Sequence, residues 1–123
     1  FDHASSLGRL LDDDRRTRIL EGKDMLSVRD YLDRRKARGA IFPGNGDEAV
    51  PPFRLVEDLI SLGLEDAVVD WLNRIETVEQ QRRRRIFERF PSEWISEPAG
   101  DFALQVLEET EDLMHEEIES CAT

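Results

Sequence analysis

An all-α fold is predicted by three observations. Apolar residues recur at the helical period, strand-like alternation is almost absent, and caps and breakers punctuate the chain at short intervals. The 123 residues supply material for one modest core rather than for two domains. Apolar residues make up 39% and charged residues 37%, a balance that suits small helices with wide solvated faces better than a sheet covered on both sides.

The elements follow in order. Asp12-Asp13-Asp14 put carboxylates where a helix N-terminus favours them, and Arg15 to Leu20 continue until Gly22 stops the helix. Ser27 offers an N-cap answered by Asp30, and Val28, Tyr31 and Leu32 form a narrow apolar stripe. The cations from Arg34 to Arg38 then gather before Gly39, where the helix dipole prefers them. Between Gly39 and Pro52, Phe42-Pro43-Gly44-Asn45-Gly46 and Pro51-Pro52 predict a long irregular loop, either functional or loose. Pro52 suits the first turn of a helix carrying Leu55, Val56, Leu59 and Ile60 and closed by Gly63. Ala67, Val68, Trp71, Leu72 and Ile75 repeat in the same way after a tight turn, so the two should form a helical hairpin.

Thr77 with Gln80 reads as a capping box for the next helix, whose buried side would come from Val78, Ile86, Phe87 and Phe90 and whose stop is Pro91. Ser92 to Ile95 should turn and drop Trp94 into the core. Ser96 caps the last helix, with Pro98 in its first turn, and Phe102, Ala103, Val106, Leu107, Leu113, Met114 and Ile118 line one continuous apolar face. At a length of roughly 30 Å this helix is the expected spine.

Charge narrows the function classes. A formal charge of -11 argues against a general nucleic-acid binder, because affinity for a phosphate backbone comes from neutralising cations. Arg82-Arg83-Arg84-Arg85 does not reverse this: successive helical residues project about 100° apart, so the run rings its helix and at most two of the four share a face. The final helix carries Glu108, Glu109, Glu111, Asp112, Glu116, Glu117 and Glu119, with no Lys or Arg after Arg89. The two helices are expected to pair electrostatically or to leave both faces wet.

The lone Cys121 excludes an intramolecular disulfide and a thiolate zinc cage, and fits a reducing cytoplasm. No apolar run reaches the roughly 20 residues a membrane-spanning helix needs. His3 and His115 are the only histidines, and His115 has no second His one turn away to share a metal. No Ser-His-Asp order, Walker glycine loop, paired-Cys motif or dinucleotide fingerprint occurs, so the chain holds no complete catalytic constellation.

The opening phrase Phe1-Asp2-His3-Ala4-Ser5-Ser6-Leu7-Gly8-Arg9 has neither an initiator Met nor a signal-like apolar stretch, and reads as the interior of a longer protein. It resembles the segment that opens the C-terminal part of HipA-like Ser/Thr kinases, the toxins of HipA-HipB toxin-antitoxin systems. Asp13 to Leu20 resemble the helix following it, and Ile86 to Ser96 with Asp101-Phe102-Ala103 resemble a C-terminal pattern of the same family. The resemblance implies a helical C-terminal subdomain of a protein-kinase-related fold, with ATP and Mg²⁺ as cofactors of the parent kinase. It makes Asp2 the metal ligand, a hard carboxylate of the kind Mg²⁺ selects. His3 departs from the Gly of the metal motif in ordinary kinases. The implied partners are an upstream kinase lobe, a protein substrate such as an aminoacyl-tRNA synthetase, and a DNA-binding antitoxin. The 123 residues alone are expected to be inactive. Read without the resemblance, the chain is a stand-alone helical protein-interaction module that grips a partner through the Gly39 to Pro52 loop or Trp94.

Overall fold

The computed structural model describes residues 7–8, 11–33 and 55–121, the side chains of Asp33, Leu55 and Cys121 excepted. Among the described residues the chain forms α1 (Asp13–Leu20), α2 (Val28–Asp33), α3 (Leu55–Ser61), α4 (Glu65–Glu76), α5 (Gln80–Glu88) and α6 (Glu97–Cys121), with no strand. The predicted Gly39 to Pro52 loop lies outside the described residues, as does the cationic run from Arg34 to Arg38.

Local chemistry sets the helix ends. Asp12 caps α1 by accepting the Arg15 N–H at 2.8 Å. Gly22 closes α1 at φ 66, with its N–H on the Ile19 carbonyl and the Lys23 N–H on the Arg18 carbonyl. Gly63 closes α3 in the same left-handed geometry at φ 77. At α2 the expected cap is complete: the Asp30 N–H donates to Ser27 Oγ at 3.0 Å, and the Ser27 N–H donates back to Asp30 Oδ2 at 2.9 Å. Ser96 caps α6, accepting the Ala99 N–H on its hydroxyl at 3.3 Å.

Thr77 does not start α5. Its hydroxyl donates back to the Arg74 carbonyl at 2.7 Å, which makes it the C-terminal residue of α4, and Glu79 opens α5 without a side-chain cap. A Thr standing between two helices can serve either one, and here the free carbonyls of the last α4 turn take its hydroxyl.

The 25-residue α6 is the spine, and the substantial helix–helix contacts all involve it except α3 against α4, which form the expected hairpin. Ile19 of α1, Val28 of α2, Phe102 and Val106 make one buried cluster, with Leu7, Leu11, Tyr31 and Leu32 packed around it. Tyr31 meets the Phe102 ring edge-on at a centroid distance of 5.4 Å. Further along α6, Leu113 is buried, as are Val56 of α3 and Leu72 of α4.

The single apolar face expected on α6 is too narrow at its N-terminal half. Phe102, Ala103 and Leu104 are buried in succession, and three consecutive helical residues sweep about 200°. At this level α6 is enclosed on several sides, so Leu104 joins the core although no one-sided stripe would include it.

Of the expected apolar underside of α5, Phe87 faces inward but Ile86 and Phe90 do not. No residue of α5 is buried, and Ile86 and Phe90 stand 53% and 48% exposed. The inward arc belongs to Arg83, Arg84 and Phe87. Arg83 pairs with Glu111 at 2.7 Å and donates to the Ile75 carbonyl at 2.9 Å, while Arg84 pairs with Asp101 at 2.9 Å. Electrostatic pairing of α5 with α6 therefore follows the expectation, and the arginine stems cover surface that apolar side chains would otherwise fill.

Two tryptophans lie outside the core. Trp94 is 75% exposed, in a turn closed by its N–H on the Pro91 carbonyl, with Ile95 taking the more sheltered position beside α6. Trp71 is 63% exposed because Leu72 occupies the core side of α4, and Arg74 lies over its ring at 5.3 Å. Val56, Leu59, Trp71, Ile75 and Met114 border a groove of about 280 Å³ between α3, α4 and α6.

Candidate functional site

Leu7 and Gly8 join the helical body at one turn. Gly8 is buried with φ +78, and a Cβ there would lie 2.5 Å from Phe102 Cε1 and 2.6 Å from Cδ1. Only a glycine fits this backbone against this ring. The Gly8 carbonyl accepts the Leu11 N–H at 3.0 Å and Arg16 Nη2 at 3.1 Å, so the turn is fixed from below by Phe102 and laterally by α1. Beside it opens a cavity of about 650 Å³ bordered by Leu7, Arg16, Phe87, Phe90, Trp94 and Ala103.

A polar brace closes one edge of this cavity. Asp13 Oδ1 accepts the Ser96 hydroxyl at 2.8 Å and Arg16 Nη1 at 2.5 Å, tying the start of α1 to the start of α6. The Ser96 hydroxyl first, and the Arg16 guanidinium second, hold the Asp13 carboxyl below the usual carboxylate range. A carboxylate stabilised in this way is a poor proton acceptor, so it does not activate Ser96 as a nucleophile. The pair is a brace rather than a catalytic dyad.

That brace carries a pH signature. Because folding lowers the Asp13 pKa, its contribution is present above the unfolded-state pKa and is lost as pH falls through the lower folded-state value. Ser96→Ala removes both the hydrogen bond to Asp13 and the α6 cap. The gap in urea midpoint between the two proteins should be widest at neutral pH and should narrow below about pH 4, leaving the pH-independent loss of the cap. A gap that stays constant across this range would exclude the Asp13 contribution.

The predicted functional residues are dispersed. Asp2 and His3 lie outside the described residues, as does the Cys121 side chain. His115 is at the surface as expected, its Nε2 paired with Glu76 across α6 and α4. The arginine run divides: Arg83 and Arg84 pair with carboxylates of α6, whereas Arg82 and Arg85 make no ion pair among the described residues. Among the described residues no group of three or more His, Cys, Asp or Glu is placed to hold a metal ion. No described helix is long and apolar enough to cross a membrane.

The seat of Gly8 on Phe102 was not foreseen as a contact. Phe102 is legible as core and Gly8 as part of a motif, but no local periodicity links residues this far apart in the chain. No family model, curated protein or solved structure matches the chain.

Proposed function

We propose that the chain is the C-terminal helical lobe of a HipA-like Ser/Thr kinase, which acts with an upstream lobe to transfer phosphate from ATP to a protein. The supporting observation is the fit of Leu7-Gly8, the described part of the Ser-Leu-Gly-Arg phrase, to the helical body. Its glycine has a packing reason to be glycine, lying against the most buried ring of the core. Leu7 and Gly8 are thus part of the lobe, and Asp2 stands six residues before Gly8 in the sequence. An anchored turn of this kind lets a helical lobe present a short functional segment at the border of a cleft completed by another lobe.

The role of Asp2 as a metal ligand rests on the sequence resemblance. ATP and Mg²⁺ belong to the whole kinase, where the cation offsets phosphate charge. The catalytic Asp, the phosphate-covering loop and the nucleotide-binding Lys would be supplied upstream. An aminoacyl-tRNA synthetase as substrate and a DNA-binding antitoxin as partner belong to the same reading.

The test is a phosphorylation assay on the polypeptide that carries this chain together with its upstream sequence. ATP-dependent phosphorylation of a protein is expected, and Asp2→Asn should lower the rate about a hundredfold or more. The 123-residue chain alone should show no turnover. Phosphorylation by the isolated chain, or full activity in Asp2→Asn, would overturn the assignment.

A further inference from the structure

Among the described residues most Lys and Arg side chains make ion pairs. Every described Lys and Arg before Arg82 makes an ion pair, and so do Arg83 and Arg84. Arg82, Arg85 and Arg89 are exposed and lack an ion-pair partner among the described residues. They are not scattered. Arg82 and Arg85 lie in α5 and Arg89 continues it in helical conformation, so at about 100° per residue the three fall within an arc of roughly 60°. Ile86 lies about 40° from Arg82 on the same outward side and is 53% exposed, and the exposed Phe90 and Trp94 follow directly in the chain.

In a chain with 28 acidic residues against 17 basic ones, three neighbouring arginines without carboxylates are a local reversal of the prevailing charge. Salt screens charges beyond about 8 Å, so an approaching group responds to this local face more than to the net charge. Arginine and aromatic residues beside an exposed aliphatic side chain are the composition of protein-binding surfaces, where apolar anchors are buried at the centre and charges set orientation. A nucleic acid would match the guanidinium groups but would bring a continuous line of phosphates against a protein of charge -11.

We propose that the outward face of α5 binds an acidic amphipathic segment of a partner protein, with the partner's apolar side chains over Ile86 and Phe90 and its carboxylates on Arg82, Arg85 and Arg89. This proposal does not depend on the kinase reading. It differs from the expected grip through the Gly39 to Pro52 loop or Trp94 in naming the charge that selects the partner.

Fluorescence anisotropy of the 123-residue chain with three labelled probes tests it: a helical peptide alternating Glu with Leu and Phe, the same peptide with Lys for Glu, and a single-stranded oligonucleotide. The acidic peptide should bind, and the Lys peptide should not. Joint replacement R82A/R85A/R89A should weaken binding roughly tenfold or more, and Ile86→Ser several-fold. All four positions are exposed, so circular dichroism of the variants should match that of the parent. Binding of the acidic peptide that survives the triple replacement, or its absence in the parent, would overturn the proposal. Tighter binding of the oligonucleotide would assign the face to nucleic acid, and self-association lost in the triple variant would assign it to a second copy; either would equally overturn it.

Discussion

Phe102→Ala is expected to destabilise the fold by about 3–5 kcal/mol, the usual cost of removing a fully buried phenyl ring. Phe102 is completely inaccessible to solvent. Its neighbours come from separate parts of the chain: Ile19 from α1, Val28 and Tyr31 from α2, and Gly8 from the opening turn. A cavity at this point therefore cannot be closed by the shift of one helix, since inward movement of any one leaves the others unsupported. Domains of this size are stable by only about 5–15 kcal/mol, so the variant would be close to unfolding under mild conditions. Urea denaturation followed by circular dichroism gives the value. Phe102→Leu, which keeps most of the volume, should cost less than about 2 kcal/mol. A loss under about 1 kcal/mol for Phe102→Ala would show that the ring is not the centre of the core.

Gly8→Ala should be the next most damaging change, at about 2–4 kcal/mol. Left-handed backbone carries about 1 kcal/mol of strain for a side chain, and forcing a methyl group into a packed ring adds about 1–3 kcal/mol. Gly22 separates the two causes. Its φ of 66 is similarly left-handed, but nothing lies within 4 Å of a Cβ built there. Gly22→Ala should therefore show the strain alone, about 1 kcal/mol. Phe102→Ala relieves the collision at Gly8, so Gly8→Ala in that background should cost little more than Gly22→Ala. Equal losses at Gly8 and Gly22 in the parent protein would show that the turn does not rest on the ring.

The parts of the fold readable from sequence are those governed by a few adjacent residues. Asp12, the Ser27–Asp30 pair and Ser96 act as caps because the groups they satisfy lie within one turn, and Gly22 and Gly63 end helices through their own backbone freedom. The α3–α4 hairpin follows from two apolar stripes and the short turn at Gly63. Legibility fails where two residues compete for one place. Ile86 and Phe90 are apolar at helical spacing, yet Arg83 and Arg84 claim the inner face of α5 because Glu111 and Asp101 await them on α6. Ile95 takes the sheltered place beside α6 that the sequence offers to Trp94, and Trp71 yields to Leu72. Thr77 shows the same ambiguity at a boundary. For the candidate site, Asp2 was named by its motif, whereas the Gly8–Phe102 seat depends on tertiary contact and the brace from Asp13 to Ser96 joins residues far apart in sequence.

The dominance of α6 imposes an order on the birth of the protein. The ribosome releases α1 and α2 well before α6, the helix against which they pack. Until Phe102 and Val106 emerge, Ile19, Val28 and Tyr31 have no native surface to cover, and short helices of this length are marginal in isolation. These two helices must therefore remain uncommitted until α6 has emerged, so a change that shortens α6 threatens the packing of both.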